Sequence, residues 1–83
     1  MVQQARLVNF EEMTFGEYLS HLGVGVRAFA RAVGVDPATI THLTRGRHTP
    51  NGRTLQKIRA VTGLPEGTIL RMVENARQAE EAS

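Results

Sequence analysis

A single glycine, Gly34, separates two short helical patterns and constrains the fold of this chain more than any other feature. Before it, Phe29, Ala30 and Val33 fall on one face of a helix that begins near Val26. Glycine adopts a positive φ without a Cβ clash, so it can end one helix and turn the chain sharply into the next. The sequence therefore predicts two short helices that meet at a tight corner.

The second of these helices begins at an Asp-Pro pair. Asp36 can cap free backbone N–H groups, and Pro37 fits the first helical position because its missing N–H would be unpaired there. Ile40 and Leu43 lie three residues apart and should face inward. Residues 26–45 therefore predict a helix-turn-helix. Its outer surface is short, polar and partly basic, and consists of Ala38, Thr39, Thr41, His42 and Arg45.

The helix crossing itself requires a small side chain where the two backbones approach, and Ala30 supplies it. The pattern consists of Phe29, Ala30, Val33, Gly34, Val35, Ile40 and Leu43. This spacing resembles the helix-turn-helix of the Cro/lambda-repressor-like (XRE-type) DNA-binding family. The similarity continues past Arg45-Gly46-Arg47 and Pro50 to Glu66, and it covers roughly residues 15–70. The resemblance implies an all-α, compact five-helix DNA-binding domain.

The chain before this motif predicts a first helix. Thr14 can cap it, with Glu17 three residues on as the partner in a capping box. The apolar stripe of this helix consists of Phe15, Tyr18, Leu19 and Leu22. Residues 1–12 show neither a sustained periodicity nor a cap, so we expect an N-terminal arm there. The alternatives for this arm are a tail that reaches into a minor groove of DNA and a terminus that is packed on the domain or frayed.

The chain after the motif predicts two more helices. Asn51 can cap the fourth helix, and Pro65 opens the fifth. The inward residues of the fourth helix are Leu55, Ile58 and either Val61 or Thr62. The fifth carries a wide apolar band of Ile69, Leu70, Met72, Val73 and Ala76. We therefore expect the domain to span residues 13–77, followed by a polar tail at 78–83.

Basic residues concentrate in the middle of the chain. The net charge of the 83 residues is only +2. Residues 23–63, however, hold seven basic residues against one acidic residue, a net charge of +6, whereas residues 1–22 and 64–83 each carry −2. The basic block coincides with the helix-turn-helix, which favours a nucleic-acid partner.

We expect the helix at 37–45 to read DNA, because an α-helix fits the major groove and its N-terminal half meets the base edges. By resemblance to the family, the base-reading positions are Pro37, Ala38, Thr41 and His42. The first two offer only apolar contact, for instance to a thymine methyl, whereas Thr41 and His42 can donate or accept a hydrogen bond. The alternative for Thr41 and His42 is a surface role without base contact.

Guanidinium and hydroxyl groups match phosphate oxygens without reading sequence. We expect phosphate contacts from Arg27, Thr39, Arg45, Arg47, Thr49 and Arg53. For any one of these arginines the alternative is a solvated side chain. Gly25 and Val26 stand where family members usually carry a polar cap and a Gln that braces the DNA backbone. Backbone N–H groups at the start of that helix remain available as anion donors.

Several other classes of protein find no support in the sequence. His42 and His48 lie six residues apart, but no nearby third ligand completes a metal site, so we expect no cofactor. The chain has no Ser-His-Asp order and no glycine-rich phosphate loop, so we expect no enzyme. It has no Cys and no apolar run of bilayer length. We expect a cytoplasmic protein, nucleoid-associated in a bacterial host, with no membrane and no small-molecule ligand.

The apolar band of the fifth helix is wider than a core of this size needs. We predict that part of it faces a second copy in a homodimer, through Ile69, Leu70, Met72 and Val73. A purely intramolecular core is the alternative. In the family, a dimer places two recognition helices about 34–36 Å apart on a palindromic site.

The resemblance implies a sequence-specific regulator of transcription that binds double-stranded DNA, and we expect a repressor of a phage or bacterial type. The alternative is an antitoxin-like or accessory protein-interaction module that uses the fifth helix.

Overall fold

The computed structural model describes residues 9–82, and this part of the chain contains helices and no strand. A short 3-10 helix, Phe10–Glu12, precedes five α-helices. These are α1 Phe15–Leu22, α2 Val26–Val33, α3 Pro37–Thr44, α4 Gly52–Thr62 and α5 Glu66–Ala82. The all-α, five-helix prediction is confirmed.

Side-chain caps define where the predicted helices begin. The Thr14 hydroxyl accepts a hydrogen bond from the Glu17 N–H at 3.0 Å, and the Glu17 carboxylate accepts one from the Thr14 N–H at 2.8 Å. Asp36 accepts from the Ala38 N–H at 2.7 Å and so caps α3. These groups satisfy backbone donors that a helix leaves free at its start. The capping box of α1 and the Asp-Pro start of α3 are therefore confirmed.

The corner between α2 and α3 is built on Gly34, which has a φ of 87°. Its N–H and the N–H of Val35 both donate to the Ala30 carbonyl, at 2.8 and 3.0 Å. A residue with a Cβ is strained at this φ, so glycine is needed where the chain leaves α2. This geometry matches the turn that the sequence predicts.

The hydrophobic core lies where the five α-helices meet. Phe15, Ile40 and Met72 are fully buried in it, and the Phe15 ring packs edge to face on Phe29 with 5.8 Å between the ring centroids. Ala30 is also fully buried. The inward residues predicted for the two motif helices all lie in this core. They are Phe29, Ala30, Val33, Ile40 and Leu43.

We expect Ala30→Leu to reduce the free energy of unfolding by about 1–3 kcal/mol, because a larger side chain in a filled core forces its neighbours to move. Ala32→Leu is a matched control, since Ala32 lies on the same helix and is exposed. It should change stability by less than about 0.5 kcal/mol. Chemical denaturation of both variants measures the difference. Equal stability of the two would contradict the close approach of α2 and α3 at Ala30.

Three apolar residues on the predicted apolar stripes of α1, α4 and α5 are exposed. Leu22 is 45% exposed and Val61 is 46% exposed. Leu22 is the last residue of α1, directly before the left-handed Gly23, so the chain turns away before that side chain is covered. On α4, Thr62 takes the more buried position, and its hydroxyl donates to the Ile58 carbonyl at 2.8 Å. Leu70 on α5 is 37% exposed.

The tail that we predicted at 78–83 is helical as far as Ala82. Arg77 supports this last part of α5, because its guanidinium pairs with Glu74 and with Glu81. The hydrogen bond from Arg77 lowers the pKa of Glu74. Spacings of three and four residues place these groups next to each other on a helix. The polar residues at 78–82 form part of the solvated surface of α5.

Only residues 1–8 of the predicted arm lie outside the described residues, and residues 9–12 join the body of the domain. The Asn75 amide on α5 donates to the carbonyls of Glu11 and Met13 at 2.8 and 2.9 Å. The Thr68 hydroxyl donates to the Glu11 carboxylate at 3.1 Å. Residues 9–12 are therefore joined to α5, which corresponds to the alternative of a packed terminus. Within residues 9–82, the helices are too short or too polar to cross a membrane.

Candidate nucleic-acid interface

The outer face of α3 is partly open to solvent. Pro37 and Ala38 are exposed at its N-terminus, and Thr41 and His42 are half-buried one turn later. Since α3 is packed on the core through Ile40 and Leu43, these four side chains lie on the remaining surface. The structure thus brings all four predicted base-reading residues onto one short face of the helix.

The loop after α3 is fixed by backbone hydrogen bonds to the helix. The Arg45 N–H donates to the carbonyls of Thr41 and His42, both at 3.2 Å. The Arg47 N–H donates to the His42 carbonyl at 2.9 Å, and the Gly46 N–H donates to the Leu43 carbonyl at 3.1 Å. Arg45 and Arg47 therefore leave the end of α3 on a backbone of defined shape.

Gly46 also lies where this loop closely approaches α5. It is buried, with a φ of 67°. A Cβ at this position would overlap the backbone N and Cα of Arg77 and lie 2.8 Å from the Ala76 carbonyl carbon. The close approach of two backbones at Gly46 sets the distance between the basic loop and the body of the domain.

Among the described residues, the arginines of the predicted phosphate surface have no carboxylate partner. Within residues 9–82, the ion pairs are those that Arg77 makes with Glu74 and Glu81. The predicted phosphate ligands Arg27, Arg45, Arg47 and Arg53 are all exposed. Of the predicted hydroxyl ligands, Thr49 is exposed and Thr39 is half-buried. The cations are thus free to meet an anionic partner without first breaking an internal pair.

The N-terminus of α2 has no side-chain cap, as the sequence indicated. Gly25 occupies the cap position and makes no side-chain hydrogen bond to the helix. Arg27 in the first turn is exposed. A phosphate near this end would meet backbone N–H groups together with the Arg27 guanidinium.

His42 and His48 form a contact between α3 and the loop. Their rings lie edge to face, with 4.7 Å between centroids and 83° between the planes. The His42 Nδ1 atom is buried and has no hydrogen-bond partner among the described residues. A cavity of about 190 Å³ adjoins both rings and is also lined by Thr39, Leu43 and Pro50. Within residues 9–82, these histidines belong to no group of three or more metal-ligating side chains.

Lys57 has a role that the sequence did not reveal. Its Nζ donates to the Gly34 carbonyl at 3.3 Å. A cation beside the carbonyls at the end of a helix is favourable, because the helix dipole is negative there. Lys57 therefore links α4 to the turn of the motif. No spacing signal predicts this contact, since its two ends lie 23 residues apart.

Most of the predicted dimer surface lies inside the monomer. Ile69 and Met72 are 0% exposed, and Val73 is buried with them. Leu70 is the one residue of the four that reaches solvent. The band on α5 is wide because α5 packs on α1, α3, α4 and the 3-10 helix at once. We therefore do not retain Ile69, Met72 and Val73 as a surface for a second copy or for another protein.

Comparison with known proteins identifies the family. The family model described as helix-turn-helix matches residues 21–69, which is more than half of the chain. No curated protein and no solved structure matches the chain significantly. The matched segment contains α2, α3 and the basic loop, the same elements that form the surface described above. The chain therefore belongs to the Cro/lambda-repressor-like (XRE-type) helix-turn-helix family, a family of DNA-binding regulatory proteins that are generally not enzymes.

Proposed function

We propose that this protein is a sequence-specific repressor that reads the major groove of duplex DNA with the helix at 37–45. The observation that carries the proposal is the outer face of α3 lying beside exposed arginines without carboxylate partners. An α-helix fits the major groove, and guanidinium groups match the phosphates that border the groove. Occupation of an operator by this face blocks access of polymerase to the promoter.

Two sets of side chains divide the work of binding. The base-reading set is Pro37, Ala38, Thr41 and His42. The phosphate-binding set is Arg27, Thr39, Arg45, Arg47, Thr49 and Arg53. The first set determines the sequence specificity. The second set positions the helix on the duplex and makes no distinction between sequences.

We further propose that two copies bind a palindromic operator, with their α3 helices about 34–36 Å apart. One α3 presents fewer than three turns to the groove, so a single copy reads only a short half-site. A second copy doubles the number of base pairs that are read. A phage or bacterial regulator of this kind acts in the cytoplasm, on the nucleoid.

Selection of bound sequences from a random pool of DNA duplexes tests this function. We expect the recovered sequences to share an inverted repeat whose half-sites are one helical turn apart. A pool without enrichment would contradict sequence-specific binding. A single motif without a repeat would support sequence-specific binding and contradict the binding of two copies to a palindromic operator.

Replacement of one proposed phosphate ligand should weaken binding without changing its sequence preference. We expect Arg47→Ala to lower affinity for every sequence and to reduce the slope of log affinity against log salt by about one for each bound copy. Arg59→Ala is a control with the same change in charge, because Arg59 is exposed on α4 beside Gln56 and Ala60 and is not in the proposed set. Titration of DNA at several salt concentrations measures both slopes. An unchanged slope for Arg47→Ala would remove Arg47 from the interface.

A further inference from the structure

Three observations concern the contact between His42 and His48 at the edge of the outer face of α3. The two rings lie edge to face at 4.7 Å. The backbone beside His48 is tied to His42, because the Arg47 N–H donates to the His42 carbonyl at 2.9 Å. The two ring nitrogens of His42 also differ. Nδ1 is both buried and without a hydrogen-bond partner, and this combination does not hold for Nε2. His48 is thus placed to fix how the His42 ring faces the DNA.

We propose that His48 is a positioning residue for base recognition, which holds His42 so that Nε2–H is its donor to a base in the major groove. This proposal rests on the proposed function and assigns a chemical preference to one of its reading positions. A neutral imidazole has one N–H and one acceptor nitrogen. A proton on Nδ1 would leave a buried N–H without an acceptor, which folded proteins avoid. The proton therefore belongs on Nε2.

A donor at this position selects among the four bases by the acceptors that they present. Guanine offers N7 and O6 in the major groove, adenine offers N7, and thymine offers O4, whereas cytosine offers only a donor there. His42 therefore favours guanine, which has two acceptors, and rejects cytosine.

The cavity beside the two rings explains why His48 is needed. It is lined by both histidines and by Thr39, Leu43 and Pro50, and its volume is about 190 Å³. Removal of the His48 ring would join more empty space to this cavity and give the His42 ring room to turn. A His42 ring that turns presents either nitrogen, and the donor is no longer held toward one base.

Selection from a random duplex pool with three variants tests the positioning role. We expect His42→Ala and His48→Ala both to lose the base preference at one and the same position, by about 5- to 150-fold for the best base over cytosine. His48→Phe keeps a flat ring against His42 and should retain the preference. His48 is exposed and His42 is only half-buried, so all three variants should fold, and thermal melting checks this. The salt slope of each His48 variant should equal that of the unaltered protein.

Two measurements complete the test. Nitrogen-15 NMR of the free protein at neutral pH should show the proton of His42 on Nε2, and a proton on Nδ1 would overturn the assignment of the donor. Replacement of the selected guanine by 7-deazaguanine should weaken binding of the unaltered protein and leave binding of His42→Ala unchanged.

The outcomes separate this inference from the function on which it rests. A His48→Ala variant that keeps the base preference would overturn the positioning role, while the salt-dependent, sequence-specific binding of the unaltered protein would still support the proposed function. Equal weakening of all sequences with a smaller salt slope would show His48 to be a phosphate contact and would also overturn it. An unaltered protein that selects no sequence would overturn both.

Discussion

Gly46→Ala should cost the domain about 2–5 kcal/mol of stability. Two effects add at this residue. The φ of 67° is strained for any side chain, and a Cβ would overlap the α5 backbone at Arg77. Backbone cannot move aside as a flexible side chain can, so the loop and α5 must separate. Since one kcal/mol shifts the melting temperature of a domain of this size by about 4–8 °C, thermal melting should show a loss of roughly 10 °C or more.

Gly23→Ala is the matched control for this substitution. Gly23 has a φ of 75°, close to that of Gly46, but nothing lies within 4 Å of the Cβ that would be added. The control therefore carries the backbone strain alone, at about 1–2 kcal/mol. Equal losses of melting temperature in the two variants would contradict the close approach of the loop to α5.

DNA affinity should fall steeply with salt. The four arginines of the proposed phosphate set, Arg27, Arg45, Arg47 and Arg53, displace counterions when they bind, which gives a slope of about −3.6 in log affinity against log salt. Between about 50 mM and about 200 mM salt, the affinity of one copy should thus fall about 150-fold. Two copies on one operator should double the slope and lose affinity by a factor on the order of 10⁴.

A titration of DNA over this range of salt measures the slope directly. Specific and non-specific duplexes should lose affinity together, because the phosphate contacts are common to both. A slope near zero would contradict phosphate binding by these arginines. It would indicate a partner that binds without the release of counterions.

Local signals in the sequence predict most of this fold. Each helix start that the sequence marked with a side-chain cap, such as Thr14 or Asp36, has that cap in the structure. The turn at Gly34 follows from the conformational freedom of glycine. Periodicity identified the buried faces of α2 and α3, because both helices are short and have one packed side.

Contacts between distant parts of the chain explain what the sequence could not predict. The width of the α5 band suggested a dimer surface, but within residues 9–82 α5 packs on α1, α3, α4 and the 3-10 helix, and this packing depends on the tertiary arrangement. The link from Lys57 to Gly34 and the ring contact of His42 with His48 likewise carry no periodic signal. Leu22 and Val61 follow the apolar spacing of their helices but lie where no other helix covers them.

In the proposed complex, the outer face of α3 enters the groove of duplex DNA. An NMR titration of the nitrogen-labelled protein with its selected duplex is the decisive measurement, since each backbone amide reports its own surroundings. We expect the largest shifts at residues 38–47 and at Arg53, with little change at Leu70 on α5. Large shifts confined to α5, with residues 38–47 unchanged, would contradict the entry of α3 into the groove.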